Sequence, residues 1–253
     1  MENSLTSEKR GLSADAVKLI AAAAMLIDHI SECFGTRGSF MWTVMHCVGR
    51  ITAPVMCFFI AEGFHYTKNV KKYLLRLGIF AVISWFPYVF MGFGRLPVYF
   101  EGGNVLLIFR QSIMYTFFLG LLELVIIHSE WLKIPLKLLL TAGIVYLSFL
   151  GDWSFAAILF ILVFDRFRGN FRWQALAFTV AVGFEYLVLI TLYRNPPMDV
   201  LFQLGAIFAL IPLYFYNGKR GKSGQKNRQL VKWFFYVFYP LHMLVLGILR
   251  NVL

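Results

Sequence analysis

Apolar positions along this chain come in runs too long for a soluble core. Runs near 16–34, 41–64, 73–92, 104–127, 134–150, 153–165, 173–192, 199–216 and 232–250 are separated by short polar or basic stretches. A hydrocarbon layer about 30 Å thick asks for about 20 apolar residues per helical crossing. In lipid, only helices and closed barrels satisfy their own backbone, and runs of this length mean helices. The pattern predicts an all-α polytopic transmembrane bundle of about nine spanning helices, forming a single domain over residues 1–253. One stretch needs a decision. Pro135 to Phe164 is apolar except at Gly151-Asp152, and as one helix it would be about 45 Å long. Two helices hinged at Gly151-Asp152 fit the bilayer better, although the second is short. Asn217–Gln229 is rich in Gly and Lys, and residues 217–231 are expected to form a flexible basic loop.

Charge orients the bundle. Lys9, Arg10, Lys18, Lys68, Lys71, Lys72, Arg76, Lys133, Lys137, Arg166, Arg168, Arg172, Lys219, Arg220, Lys222, Lys226, Arg228 and Lys232 fall on one side. The other side carries Arg37, Arg95, Arg194 and Arg250, while Arg50 and Arg110 lie within apolar segments. The rule that cytoplasmic loops are basic puts the first set, and the N-terminus, in the cytoplasm. The formal charge of +11 is thus a topology signal, and no nucleic-acid partner is expected. Membrane lipids are. Composition agrees: 59% of residues are hydrophobic, against about 45–50% in soluble domains. Cys33, Cys47 and Cys57 form no CxxC pair and read as free thiols. No small-residue cleavage site follows the first apolar run, so that run reads as a retained helix.

Ionisable side chains inside lipid cost at least about 2.5–3.5 kcal/mol on insertion scales, so each is a functional candidate. Lys18 and His29 lie eleven residues apart on the first helix, close to three turns, on one face and roughly 16 Å apart. His29, an imidazole in an apolar run beside Asp28, suits general-base or nucleophilic work. Arg50 reaches the depth of Asp28-His29 and is a partner for Asp28. Arg76 opens the third helix at the depth of Glu62, which suggests a second pair. Asp152 sits at the outer hinge, Glu185 in the seventh helix and His242 in the last, within Tyr239-Pro240-Leu241-His242. Plainer readings stand beside these. In one of them Lys18 snorkels to lipid phosphate. Arg50, Glu62 and Arg76 form structural ion pairs in the plainer reading, and His242 sits in an ordinary proline kink. Glu123 reads as interfacial and His128 as a loop residue. His46 and His65 lie at helix ends, where no role is expected. His29, His46, His65 and His242 lack metal-ligand spacing, and no metal is expected.

KLIAAAAMLIDHI (Lys18–Ile30), GRITAPVMCFFIAEGFHYT (Gly49–Thr67), KYLLRLGIFAVISWFPY (Lys72–Tyr88), GDWSFAAILFIL (Gly151–Leu162) and KWFFYVFYPLHMLVL (Lys232–Leu246) resemble the TraX family of bacterial membrane proteins. The segment after Asn104 fits that pattern loosely. The family takes its name from a protein that N-acetylates a pilin subunit, and it is similar to membrane acyltransferases that draw on cytosolic acetyl-CoA. In that wider group a basic residue and a His about eleven positions apart on the first helix mark the active site. The resemblance implies a multi-pass acyltransferase of the bacterial plasma membrane, with acetyl-CoA as donor and an envelope or peptide acceptor. Lys18 and His29 fill the two positions, with Lys where Arg is frequent. Under this reading His29, oriented by Asp28 or Arg50, is base or acyl carrier. Lys18, Lys71 and Lys72 then meet the donor's phosphates, as does the 219–232 stretch, and Glu62 and Arg76 shape the donor channel. Asp152, Tyr239 and His242 are further candidates. A transporter or exporter is the alternative, since buried charges and a kinked helix also suit one.

Overall fold

A computed structural model describes residues 11–221 and 225–253, with the side chains of 225–229 and 232 excluded. The helices are α1 (Ala14–Phe34), α2 (Phe40–Gly49), α3 (Thr52–Tyr66), α4 (Val70–Phe93), α5 (Ile113–Ile127), α6 (Ile134–Ser148), α7 (Ser154–Arg166), α8 (Phe171–Thr191), α9 (Leu210–Tyr214) and α10 (Gln225–Val252). A hairpin of β1 (Val98–Glu101) and β2 (Asn104–Leu107) precedes α5, and a 3-10 helix, Pro197–Ala209, leads into α9. With α2–α3 and the 3-10 helix–α9 each counted as one pass, the described residues make nine passes. Phe40–Tyr66, Val70–Phe93, Phe171–Thr191, Pro197–Tyr214 and Trp233–Val252 are each long and apolar enough to cross a membrane. The protein is a multi-pass membrane protein.

Local chemistry starts these helices where they start. Ser13, Ser39, Asn69 and Asn170 cap α1, α2, α4 and α8, each side-chain oxygen accepting from a first-turn N–H that the helix itself cannot satisfy. The ends segregate as the charge pattern predicts. On the basic side, Leu12 and Ala14 N–H groups donate to Phe215 and Lys219 carbonyls. On the other side, Gln111 N–H donates to Leu150 O and Arg250 to Met91 O.

Four expectations change. The predicted pass 104–127 begins only at Ile113, because Glu101-Gly102-Gly103-Asn104 turns a hairpin. Both glycines have positive φ, 59° and 80°, which suits a two-residue hairpin turn. Arg110 therefore lies outside any helix. The pass 41–64 bends between Gly49 and Thr52, because Pro54 has no N–H to give the Arg50 carbonyl and its ring crowds that carbonyl. The 199–216 pass is mostly 3-10 rather than α. Within the expected loop 217–231, α10 already starts at Gln225, while 222–224 lie outside the described residues. The hinge at Gly151-Asp152 separates α6 from α7 as expected.

The core lies where α1, α3, α5, α7, α8, the 3-10 helix and α10 meet, around Val17, Val55, Leu121, Phe160, Phe178, Ala206 and Met243. Phe160 packs edge-on against Phe178, with centroids 4.9 Å apart. At 13 residues α7 is about 20 Å long. It is short for a bilayer, but α3, α5 and α8 surround it. Peripheral α6 turns Leu138, Leu139 and Tyr146 outward, as a lipid-facing helix should. The 3-10 helix approaches α2 closely enough that a Cβ at Gly205 would come 2.4 Å from the Cys47 carbonyl oxygen.

Gly205→Ala should therefore destabilise the protein by about 1–3 kcal/mol. Gly183→Ala, where an added Cβ has nothing within 4 Å, should be neutral or stabilise by up to about 1 kcal/mol. Thermal unfolding in detergent micelles checks both.

Candidate functional site

The sharpest polar constellation sits in the outer half of the bundle. Asp28 of α1 is buried, and its two carboxylate oxygens have different partners. His46 Nδ1 donates to Oδ1 at 2.7 Å and Arg50 Nη2 to Oδ2 at 2.8 Å. His46 and Arg50 share a face because they are four residues apart on the α2 turn. The approach needs glycine at position 49, where a Cβ would fall 2.3 Å from the Asp28 side chain. Arg50 also reaches Gln203 Oε1 at 3.5 Å and lies over the rings of Trp153 and Phe202, at 5.0 and 5.4 Å. Trp153 holds a left-handed backbone, φ 59°, a conformation that costs of order 1–3 kcal/mol. Asp152 steadies the hinge, its side chain accepting from Trp153 N–H at 3.0 Å and its carbonyl from Thr116 Oγ at 2.7 Å.

His29 faces a different partner. Its Nδ1 lies 2.7 Å from His242 Nε2, with the two ring planes within 6° of parallel. His242 Nδ1 lies 2.7 Å from the Phe238 carbonyl oxygen. A carbonyl only accepts, so His242 Nδ1 carries a proton. When His242 is neutral its Nε2 is a lone pair, and His29 must donate to it from Nδ1. His29 Nε2 is then left as an unprotonated base. Phe238 stacks on the His242 ring, with centroids 4.8 Å apart.

Lys18 and His29 line one cavity, with about 660 Å³ of empty space once its open solvent is included. Ala22, Met25, Met56, Met114, Phe117, Phe235 and Phe238 give it apolar walls, and Asp28, Thr52, Asp152 and Tyr239 are polar. Thr52 Oγ donates to Ala21 O at 2.8 Å and ties α3 to α1 beside it. The Lys18 ammonium lies 4.6 Å from the centre of the Phe59 ring.

The structure thus brings Lys18, Asp28, His29, Asp152 and Tyr239 to one cavity, with Arg50 and His242 immediately behind Asp28 and His29. The expected orientation of His29 by Asp28 or Arg50 is replaced by His242, because adjacent residues on a helix point about 100° apart and Asp28 turns toward α2. Glu62, Arg76, Lys71 and Lys72 are not in the cavity lining. Glu62 pairs with Arg168, at 2.8 Å to Nε, rather than with Arg76. That hydrogen bond raises the Arg168 guanidinium above its ordinary value. Arg76 lies over the Tyr73 ring instead. Lys71 and Lys72 are exposed at the start of α4. Lys9, Arg10 and Lys222 lie outside the described residues, as do the side chains of Lys226, Arg228 and Lys232. His46, for which no role was expected, is buried against Asp28. The signal that could have found it is its four-residue spacing from Arg50.

Comparison with known proteins adds a family. The profile of the family described as "TraX protein" matches residues 13–250. The chain is 34% identical over 243 residues to a Dichelobacter nodosus protein named "Probable fimbrial assembly protein FimC, serogroup H1". That match covers 92% of this chain and 94% of the other. No solved structure matches.

Arg50→Ala should destabilise the protein by about 3–5 kcal/mol, since it strands Asp28 as a buried charge. Asp28→Asn combined with Arg50→Gln should recover most of that loss. Unfolding midpoints of the wild type and the two variants in one detergent test this, and an Arg50→Ala protein as stable as wild type would refute the pair's importance.

Proposed function

The chain belongs to the TraX family, and from that membership together with the His29 geometry we propose that it is an integral membrane acyltransferase of the bacterial plasma membrane. The donor is acetyl-CoA from the cytosol and the acceptor a peptide amine or an envelope glycan. A relative named for fimbrial assembly favours a pilin-like peptide amine among these. The observation that carries the reading is the cavity linking a basic residue near one membrane face to an imidazole in the opposite half.

The donor's phosphates stay near the basic face, beside Lys18 at that end of the cavity. Its thioester arm extends along the apolar wall of α1, α3, α5 and α10. The acceptor meets the acyl carbon beside His29. As the acceptor N–H or O–H attacks that carbon, His29 Nε2 takes the proton. The tetrahedral adduct then expels the thiolate, which recovers the proton from His29, and free thiol and acylated acceptor leave. His242 holds the tautomer that makes Nε2 the base, and it shares the charge when His29 is protonated. The Asp28–Arg50–His46 group keeps α1 and α2 in register and leaves no unpaired carboxylate beside the base.

Membranes containing the protein, given radiolabelled acetyl-CoA and a pilin-derived peptide, should acylate the peptide. His29→Ala should reduce transfer by about 10²–10⁴-fold, the usual contribution of a positioned base. His242→Gln should reduce it less while leaving the unfolding midpoint near wild type. Unchanged transfer in His29→Ala would remove this residue from the mechanism. Proton-coupled flux into vesicles with no acyl transfer would instead favour an exporter.

A further inference from the structure

A second cluster lies at the opposite, basic end of the bundle and takes no part in the proposed acyl transfer. His65 is in the last turn of α3, His128 caps the C-terminus of α5, and Asp165 is in the last turn of α7. His65 Nε2 lies 2.6 Å from one Asp165 oxygen, and His128 Nε2 lies 2.8 Å from the other. All three donor atoms are within 4.8 Å of one another. The Asp165 side chain is only 9% exposed, while the imidazoles are 28% and 41% exposed. A largely covered carboxylate thus faces two solvent-reachable nitrogens, the three groups being carried on three separate helix ends. The cluster adjoins an open cleft lined by Glu62, Tyr66, Arg168 and Gly169.

The geometry points to a site for a divalent transition-metal ion of the zinc class, held by His65 Nε2, His128 Nε2 and the Asp165 carboxylate, with water in a fourth position facing the cleft. Two imidazoles and one carboxylate select such ions over magnesium or calcium, which take oxygen ligands. Zinc bonds of about 2.0–2.1 Å place tetrahedral ligand atoms roughly 3.3 Å apart. The two nitrogen–oxygen distances therefore open by about 0.5–0.7 Å when N–H···O contacts give way to coordination. Each imidazole binds through its Nε2 lone pair, and the proton that Nε2 shares with Asp165 moves to Nδ1 or to water. The Glu62–Arg168 ion pair beside the site already engages the neighbouring carboxylate, which leaves water as the fourth ligand. The ion would tie the ends of α3, α5 and α7 together, and α3 and α5 both line the cavity at His29.

The test uses full-length protein in detergent, purified without a polyhistidine tag, stripped with chelator and dialysed against zinc. About one equivalent of zinc should be retained by elemental analysis. Cobalt(II) in its place should give the intense visible absorption of a four- or five-coordinate site. Thermal unfolding should shift upward with zinc. Asp165→Asn and His128→Ala should each weaken retention at least tenfold, the smallest loss expected even for a partner outside the ligand set, and should abolish the cobalt band. Glu130→Gln, an exposed acid on the same loop, should keep both. Wild-type protein that retains no more zinc than Asp165→Asn, or that shows only the weak spectrum of hydrated cobalt, overturns the site and leaves a hydrogen-bonded His–Asp–His clamp. The wild-type cobalt spectrum decides this even where a variant does not fold.

Discussion

Asp28 has two carboxylate oxygens and two partners, and much of the outer half of the bundle is arranged around that fact. A lone carboxylate at this depth would be prohibitively costly. His46 and Arg50 remove that cost, and both belong to the same helix, so the contact locks α2 against α1 at one rotation. Arg50 then carries the constraint outward, to Gln203 and Phe202 on the 3-10 helix and to Trp153 at the α6–α7 hinge. Glycine at 49 and the bend imposed by Pro54 are the backbone conditions under which this polar knot closes.

The knot has a chemical consequence for its neighbour. With Asp28 committed to α2, His29 is free to face α10, and a chain of two hydrogen bonds to the Phe238 carbonyl leaves its outer nitrogen bare. Histidine–histidine pairing differs from histidine–carboxylate pairing. A neutral partner fixes the tautomer without adding a negative charge, and the pair carries one proton between two rings. Such a base is oriented without being tethered to an anion. That suits a cavity with mostly apolar walls, where any extra charge would be poorly solvated.

Length and burial follow the same logic across the membrane. The helices that are short for a bilayer, α5, α6 and α7, come together with the hinge at Gly151-Asp152, and α7 is enclosed by protein rather than lipid. The outer ends of the bundle are held by polar backbone contacts at Gln111–Gly151, and the basic ends by contacts between residues 12–14 and 215–219. The cavity lies between these two sets of ties. One end is near the basic face and the other near the strained Trp153 turn.

The chain's hydrophobic rhythm by itself settled that the protein is a helical membrane bundle, where most passes lie, that Gly151-Asp152 divides two of them, and which face is basic. Transfer into lipid is a local property, additive over about twenty residues. It also marked Asp28, His29 and Arg50, since a charge in an apolar run is conspicuous wherever the run goes. Tertiary structure decided who meets whom. Glu62 chose Arg168 over Arg76, and His29 chose His242 over Asp28. His46 became a buried partner, and His65, His128 and Asp165 converged from segments with no common motif. Each choice depends on how a helix is rotated about its axis and which neighbour crosses it. A turn of 100° per residue sends adjacent side chains to different partners, so pairing is set by packing across the bundle, which no single stretch of sequence contains.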